Sequence, residues 1–288
     1  MKENAHTNAI NNFCSDDLTV GIELEWADVD RRIAIPKQLG EWDYDDYTIV
    51  NSNGRANDPT GTYPIGGEIN TRPTQTAQQQ ADIVAELRDL LQPTINYRCN
   101  LHVHVGIGAL QHDLATLKTI LRYITDAEPF VYEFVEKIPK PLRINYPNKE
   151  EFAGAMKRYR RRLVSHQQRI PANRVTKMLD AITIEEFFNN HAHRNEQTGR
   201  YAMHLAARAG INLRSLKKNG TIEFRHFAGT CDPIEIEAAV EWCRRFTWNA
   251  ITNEQSVQDL YWEREWKMPT FRPYIHALEI GYQETKYR

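Results

Sequence analysis

The sequence predicts an α+β protein built on a curved antiparallel β-sheet, with helices packed on the outer face and polar side chains on the concave face. Several short segments alternate polar and apolar residues with the period of two that is typical of strands. Longer tracts between them repeat apolar residues at helical spacing. The composition, with 41% hydrophobic and 26% charged residues among 288, is that of an ordinary globular protein with a sizeable core.

The first predicted strand spans residues 18–26 and carries two carboxylates on one face. Glu23 and Glu25 alternate with Ile22 and Leu24, so both carboxylates point to the same side. Like charges this close are disfavoured unless solvent or a cation relieves them. A solvated strand face explains one such segment, and a cation site is the alternative.

The next strand lies within residues 65–73, after a stretch rich in Asp, Asn, Gly and Pro that we interpret as loops with short strands. Glu68 and Asn70 share one face of this strand, and Pro73 ends it. Residues 74–91 then repeat apolar side chains at helical spacing, which predicts a helix.

A third strand, Asn100–Gly106, places His102 and His104 on one face and three apolar side chains on the other. Histidine is common on wet strand faces, but two imidazoles at this spacing also reach into a single cavity. A second helical tract follows over residues 111–137, with a candidate break at Glu128-Pro129.

Residues 137–198 are predicted to form a basic helical insert with Lys157–Arg162 at its core. A solvated surface is the usual explanation of such a charge run. A phosphate-lined wall and a docking surface for an acidic substrate are the alternatives. Thr183 is the predicted N-cap of a short helix in this insert, with Glu186 at its third position.

The last predicted strands span residues 211–213 and 221–227, and an Asn-Gly hairpin turn at residues 219–220 joins them. Glu223 and Arg225 share one face of the second strand. Four predicted strands therefore carry polar groups at alternate positions. If these strands lie side by side, the polar groups line one face of the sheet.

Such a face predicts divalent cations and phosphate chemistry. Several carboxylates on one face require counter-charge, and Mg²⁺ and Mn²⁺ prefer carboxylates with at most one imidazole. A carboxylate face with adjacent arginines suits phosphoryl transfer from ATP. The chain has no P-loop or kinase-type glycine pattern, so the metal ions themselves would hold the triphosphate.

The remaining composition sets limits on location and partners. A net charge of −2 creates no strong overall electric field that would attract nucleic acid or a membrane surface. The four cysteines contain no C-x-x-C pair, and their spacing resembles no zinc or disulfide framework. The start is polar and no long apolar run occurs, so we expect a cytoplasmic protein without a membrane partner.

Short motifs follow one another from about residue 18 to residue 246, and their order is as informative as the motifs themselves. They are Gly21-Ile-Glu-Leu-Glu25, Gly67-Glu68 with Thr71-Arg-Pro73, Leu101-His-Val-His-Val105, Ile211-Asn-Leu213, and Thr221-Ile-Glu-Phe-Arg225 with Gly229-Thr230. The series resembles the amidoligase family, carboxylate–amine ligases related to glutamine synthetase and glutamate–cysteine ligase. The resemblance implies a glutamine synthetase-like catalytic domain with its active site on the concave face of the sheet.

We therefore expect three segments. Residues 1–17 form a disordered polar leader, residues 18–250 form the amidoligase catalytic domain, and residues 251–288 form an extension packed on it. The implied reaction consumes ATP to make an acyl phosphate, which an amine converts into an amide or peptide-like bond. The implied cofactors are ATP and two or more Mg²⁺ or Mn²⁺ ions. The partners are a carboxylate and an amine, and candidates for either include a peptide, a protein and a nucleotide.

The resemblance also implies the metal ligands. Glu25 and Glu68 would hold one ion, while Glu23, His102 and Glu223 would hold the second ion at the ATP phosphates. No further carboxylate between Glu25 and Glu68 could be assigned to the first ion, so its third protein ligand stays open.

Phosphate contacts are implied at five positions. His104 would hydrogen-bond phosphate or substrate, and Arg225 would stabilise the transferring phosphoryl group, which makes these two the catalytic residues. Asn212 would also contact the nucleotide. Either Arg200 or Arg208 is the candidate for a further phosphate contact, because the family's arginine lies closer to its Asn-Leu strand.

Asp58 and Arg72 match family positions near the substrate. Two other classes of function stay open beside the ligase. A metal-dependent hydrolase would use the same carboxylate and histidine face without ATP. A degenerate binder of nucleic acid or another acidic ligand would use the basic insert, but it has no need for the clustered carboxylates. The ligase is therefore favoured.

Overall fold

The computed structural model describes residues 13–43, 66–95, 99–137, 169–191, 193–194, 201–202 and 209–253. Most of the predicted leader and extension, and the core of the basic insert, lie outside these ranges. So do three predicted site residues, Asp58, Arg200 and Arg208. In the described part of the chain, no helix combines the length and the apolar character needed to cross a membrane.

Strands and helices are interleaved along the described residues. The strands are β1 (Thr19–Trp26), β2 (Gly40–Asp43), β3 (Gly67–Thr71), β4 (Asn100–Gly106), β5 (His193–Arg194), β6 (Tyr201–Ala202), β7 (Ile211–Asn212) and β8 (Thr221–Ala228). The helices are α1 (Ala77–Leu91), α2 (Leu114–Lys137), α3 (Ala172–Asp180), α4 (Ile184–His191), α5 (Arg214–Asn219) and α6 (Pro233–Thr252), with 3₁₀ turns at Ser15–Asp17 and Gly108–His112. The domain boundary expected at residue 250 falls inside α6.

Among the described residues, six strands form one open antiparallel sheet in the order β2-β3-β1-β4-β8-β7. β5 and β6 pair separately. The four strands predicted to carry polar groups are β3, β1, β4 and β8, and they are neighbours in this order. The prediction of an α+β fold with an antiparallel sheet is confirmed.

One face of the sheet is apolar and forms the core together with helices. Val20, Ile22 and Leu24 of β1 are at most 2% exposed. α6 contacts β4 and β8, and both α1 and α2 pack against α6. The rings of Phe224 and Phe246 meet edge to face with their centroids 5.5 Å apart, which ties β8 to α6. The opposite face of the sheet carries the polar side chains.

Helix starts follow local capping signals. Thr76 is the N-cap of α1, where its hydroxyl accepts a hydrogen bond from the Gln79 amide at 3.2 Å. The Gln79 side chain accepts in return from the Thr76 amide at 3.1 Å. Thr183 accepts from the Glu186 amide at 3.1 Å at the start of α4, which confirms the predicted cap.

The candidate helix break at Glu128-Pro129 is wrong, because α2 continues through Pro129 to Lys137. Ala127 and Val131 on either side of the proline are fully buried. The continuous apolar face that they form offsets the cost of the hydrogen bond that proline removes.

The predicted Asn-Gly hairpin turn is also wrong, since helix α5 connects β7 to β8. Gly220 does adopt the left-handed conformation with φ 71°, but it does so as the C-cap of this helix. α5 buries Leu216, which is 2% exposed. A two-residue turn offers no such apolar burial, so tertiary packing decides against the local turn signal.

Candidate active site

The polar face of the sheet brings carboxylates and imidazoles from neighbouring strands into register. Glu23 of β1 lies opposite Asn70 of β3 on one side and His102 of β4 on the other. One step along the same face, Glu25 lies opposite Glu68. Paired residues point to the same side of a sheet, so the alternating patterns of separate strands merge into one polar surface.

The surface continues across β4 to the far edge of the sheet. His104 is paired with Glu223 of β8, and Glu223 is paired in turn with Asn212 of β7. The Asn212 side-chain amide donates a hydrogen bond to Glu223 Oε2 at 2.6 Å. Most of this cluster is closed to solvent, since Glu223 is 6% and Asn212 is 4% exposed.

Glu23 lies between the two histidines. His102 Nδ1 is 2.6 Å from Glu23 Oε2, and His104 Nε2 is 3.0 Å from Glu23 Oε1. Burial opposes the charged carboxylate, but the hydrogen bonds with His102 and His104 outweigh it and hold the pKa of Glu23 well below its ordinary value. Burial also opposes protonation of His104, but the hydrogen bond with Glu23 raises the pKa of His104 above its ordinary value. Glu23 is therefore an ionised carboxylate that accepts hydrogen bonds.

Arg225 follows Glu223 by two residues in β8, so the two side chains share a face, and the strand pairing is irregular at this point. The register shifts between Leu101 and Val103 of β4, where Arg225 and His226 together oppose a single residue. Arg225 forms an ion pair with Glu223 through Nη1. Its Nε atom is buried and makes no hydrogen bond with any other described residue. His226 turns into the core instead, where it is 1% exposed.

Three of these side chains have the geometry of a divalent-cation site. Glu23, His104 and Glu223 each offer one ligand atom, and these atoms lie within 4.8 Å of one another. His102 lies at the same place, with Nδ1 at 3.9 Å from Glu223 Oε1. Its other ring nitrogen is 3.9 Å from Glu25 Oε1. Two imidazoles are therefore available to a cation held by Glu23 and Glu223.

A second carboxylate group surrounds Glu25 and Glu68, which are 3% and 7% exposed. The Asn100 side chain donates a hydrogen bond to Glu25 Oε2 at 2.5 Å. On the other side, Asp43 of β2 lies opposite Glu68. Asn70 Nδ2 is 3.4 Å from Asp43 Oδ2. Asp43 thus adds a third carboxylate to this group.

The sequence does not single out Asp43, although the signal is present. In β2, Glu41 and Asp43 flank Trp42, which is 8% exposed and packs in the core. This is the same alternation that marks the other strands, but it lasts only four residues. Tyr44, Asp45 and Asp46 follow, so the pattern is lost in an acidic stretch.

A groove of about 530 Å³ opens beside Glu23 and His104. Gly21, which is paired with His104, and Lys218 both line it. A Cβ at Gly21 would meet nothing closer than the Thr71 carbonyl oxygen at 3.9 Å, so this part of the groove is open. The volume is typical of sites for small organic molecules.

Arg72 is the one remaining predicted residue that the structure describes, and it is not brought to this face. Arg72 is exposed, does not line the groove, and donates from Nε to the Lys37 carbonyl oxygen at 2.5 Å. Asp58, Arg200 and Arg208 lie outside the described residues, so their placement stays a prediction.

Comparison with known families agrees with the motif series. The model of a family described as "putative amidoligase enzyme" matches residues 37–247, well over half of the chain. The match begins after Glu23 and Glu25 and includes the other carboxylates of both groups, the two histidines and Arg225. Searches of curated proteins and of solved structures found no match. On the family match, the chain belongs to the amidoligase family.

Proposed function

We propose that the protein is an ATP-dependent carboxylate–amine ligase that forms an amide or peptide-like bond through an acyl phosphate. The observation that carries this proposal is the row of buried carboxylates, with two histidines and an arginine, on one face of an antiparallel sheet. Membership of the amidoligase family supports ligation over hydrolysis. The proposal includes a glutamine synthetase-like fold with its active site on this face.

The donor set fits magnesium or manganese. Glu25, Glu68 and Glu223 are at most 7% exposed, and buried carboxylates close to one another are costly without counter-charge. Oxygen ligands with a single imidazole suit these hard cations better than zinc. When bound, such ions would neutralise the charge that develops on phosphate oxygens.

Two ion positions follow from the two carboxylate groups. Three carboxylates would hold one ion, and two carboxylates and an imidazole would hold the other. The proposed ligands are Glu25, Glu68 and Asp43 for the first ion, and Glu23, Glu223 and His102 for the second ion. Asp43 fills the ligand position that the sequence leaves open.

Arg225 and His104 are the proposed catalytic residues. The Arg225 guanidinium lies beside Glu223, so a small movement of its side chain brings it to a phosphoryl group held there. His104 presents Nε2 to the same space. Asn212 orients Glu223, and Arg200 or Arg208 supplies the further phosphate contact.

The reaction consists of two substitutions. An oxygen of the substrate carboxylate bonds to the γ-phosphorus of ATP as the bond to the β–γ bridging oxygen breaks, and ADP leaves. The amine nitrogen then bonds to the acyl carbon as the carbon–oxygen bond to phosphate breaks. Phosphate leaves and the nitrogen loses a proton. The groove above Gly21 holds the organic part of one substrate, because it opens directly onto Glu23 and His104.

A hydroxylamine-trapping assay tests this function. The protein is incubated with ATP, Mg²⁺, hydroxylamine and a pool of carboxylates that includes amino acids, peptides and nucleotides. We expect hydroxamate and ADP in equal amounts, and neither product after chelation of Mg²⁺. Cleavage of a substrate without ATP would instead establish the hydrolase.

Glu223→Ala provides the matched variant for that assay. We expect its ADP release to fall to background, because the proposed second ion loses a ligand and Arg225 loses its partner. Asp82→Asn, an exposed carboxylate on α1, serves as the control and should keep full activity. Circular dichroism checks that both variants are folded. Full activity of Glu223→Ala would remove Glu223 from the site.

A further inference from the structure

A chain of hydrogen-bonding groups leads away from His104 on the side opposite Glu23. His104 Nδ1 is 2.9 Å from Thr221 Oγ1, and Thr221 Oγ1 is 2.9 Å from Ser215 Oγ. Ser215 Oγ accepts in turn from Asn219 Nδ2 at 3.3 Å. Ser215 and Asn219 belong to α5, so the chain exists only because that helix, rather than a tight turn, precedes β8.

The two ends of the chain determine its direction. The amide nitrogen of Asn219 can only donate a hydrogen bond, and the Glu23 carboxylate at the other end is an acceptor. Ser215 and Thr221 have one hydroxyl hydrogen each. Every bond is made when Asn219 donates to Ser215, Ser215 to Thr221, and Thr221 to Nδ1 of a neutral His104. Nε2–H of His104 then donates to Glu23 Oε1, at 3.0 Å.

The opposite arrangement loses hydrogen bonds at both ends. With the hydrogen on His104 Nδ1, only one of the two hydroxyl hydrogens can lie between Thr221 and Ser215, and the other has no acceptor among the described residues. The bare lone pair on Nε2 would then face the Glu23 carboxylate. Ser215 is 4% exposed, so water cannot readily replace the lost partner.

We propose that Thr221, Ser215 and Asn219 are positioning residues that keep a hydrogen on His104 Nε2, which makes His104 a hydrogen-bond donor rather than a metal ligand. The inference concerns the neutral imidazole, because both nitrogens of a protonated ring carry a hydrogen. The proposed function enters only in naming the acceptor, a phosphoryl or carboxylate oxygen of the substrates. The inference also decides between the two imidazoles, because the cation at Glu23 and Glu223 is left with His102.

Nitrogen NMR of the protein with isotope-labelled histidines tests the position of the hydrogen without any substrate. Wild type and Thr221→Ser should show His104 with the hydrogen on Nε2. Thr221→Val and Ser215→Ala, which break the chain at different points, should show a mixture of tautomers. Two variants are used because either one could fold poorly. A wild-type neutral His104 with its hydrogen on Nδ1 would overturn the inference.

Substitution of the metal by an NMR-active cadmium isotope tests the ligand set. We expect scalar coupling from cadmium to His102 and none to His104. Coupling to His104 Nε2 would overturn the inference, whereas failure of cadmium to bind would count against the proposed function alone.

Kinetics give a third readout. Thr221→Val should lower kcat by about 10- to 100-fold with little change in KM for ATP, in the range seen when a hydrogen-bond partner behind a site residue is removed. Thr221→Ser should restore the rate. A Thr221→Val variant with an unchanged kcat would show that the chain does not position His104.

Discussion

At the scale of single residues, three carboxylates of the polar face form hydrogen bonds with side chains from another strand. His102 and His104 converge on Glu23, Asn212 orients Glu223, and Asn100 orients Glu25. Charge-assisted hydrogen bonds of this kind are short and directional. The atoms proposed as metal ligands are therefore oriented without an ion, which suits the proposed role of placing a phosphoryl group accurately.

Asp43 provides a test of the first ion position. Asp43→Asn keeps the size of the side chain and removes its charge, so we expect metal-dependent activity to fall about tenfold or more. Titration with Mn²⁺ should show one of two ions bound more weakly, while Asp82→Asn binds both as wild type does. Unchanged Mn²⁺ binding by Asp43→Asn would leave the third ligand of the first ion unassigned.

At the scale of elements, the groove is open because β1 has a glycine, with no side chain, at position 21. Gly21 occupies the position opposite His104, where any side chain would project into the groove. The nearest atom to a Cβ built there is 3.9 Å away, so a side chain would fit the fold and occupy the ligand space. Folding of β1 therefore tolerates a side chain at position 21, whereas the proposed binding in the groove does not.

Substitutions at Gly21 test this difference. Gly21→Val suits a strand, so its folding and its Mn²⁺ affinity should match wild type. Its KM for the organic substrate in the groove should rise about tenfold or more, the loss expected when a side chain fills part of a ligand pocket. Gly21→Ala should show a smaller rise in the same direction. Wild-type KM values for every substrate of Gly21→Val would place the organic substrates outside the groove.

At the scale of the whole molecule, one buried histidine outside the site affects stability. His191 at the end of α4 is 3% exposed, and neither ring nitrogen makes a hydrogen bond within the described residues. Burial, together with the nearby charges of Arg174 and Arg214, lowers the pKa of His191 to about 4. The folded protein therefore holds this ring in its neutral form.

The sign of the resulting pH dependence follows from the two states. His191 has an ordinary pKa of 6.5 when unfolded, so between pH 6.5 and about 4 the unfolded chain binds a proton that the folded chain does not. Over this window the free energy of unfolding should fall by up to about 3 kcal/mol as the pH is lowered. The lowered pKa of Glu23 also adds to the free energy of unfolding, and this contribution is lost only below pH 4.5, the ordinary pKa of a glutamate.

Urea unfolding of wild type and His191→Phe at a series of pH values above 4.5 checks this prediction. The phenyl ring keeps a similar shape and does not titrate, so the variant should have the flatter profile. Equal slopes for the two proteins would show that His191 is not the group responsible.

The sequence by itself determines which side chains share a face. Alternation is a property of a single strand, so His102 with His104, and Glu23 with Glu25, could be assigned to common faces without knowledge of the fold. The order of motifs also led to the amidoligase family, because short patterns in a series are far more specific than any one of them.

Only the tertiary structure decided which faces meet. Strand pairing joins segments distant in the chain, and it set Glu223 against His104 and Asp43 against Glu68. Burial of Leu216 favours helix α5 over the turn that the Asn-Gly pair predicts. That helix places the Ser215 hydroxyl within hydrogen-bonding distance of the Thr221 hydroxyl. These choices depend on packing energy summed over the whole core, which no local pattern contains.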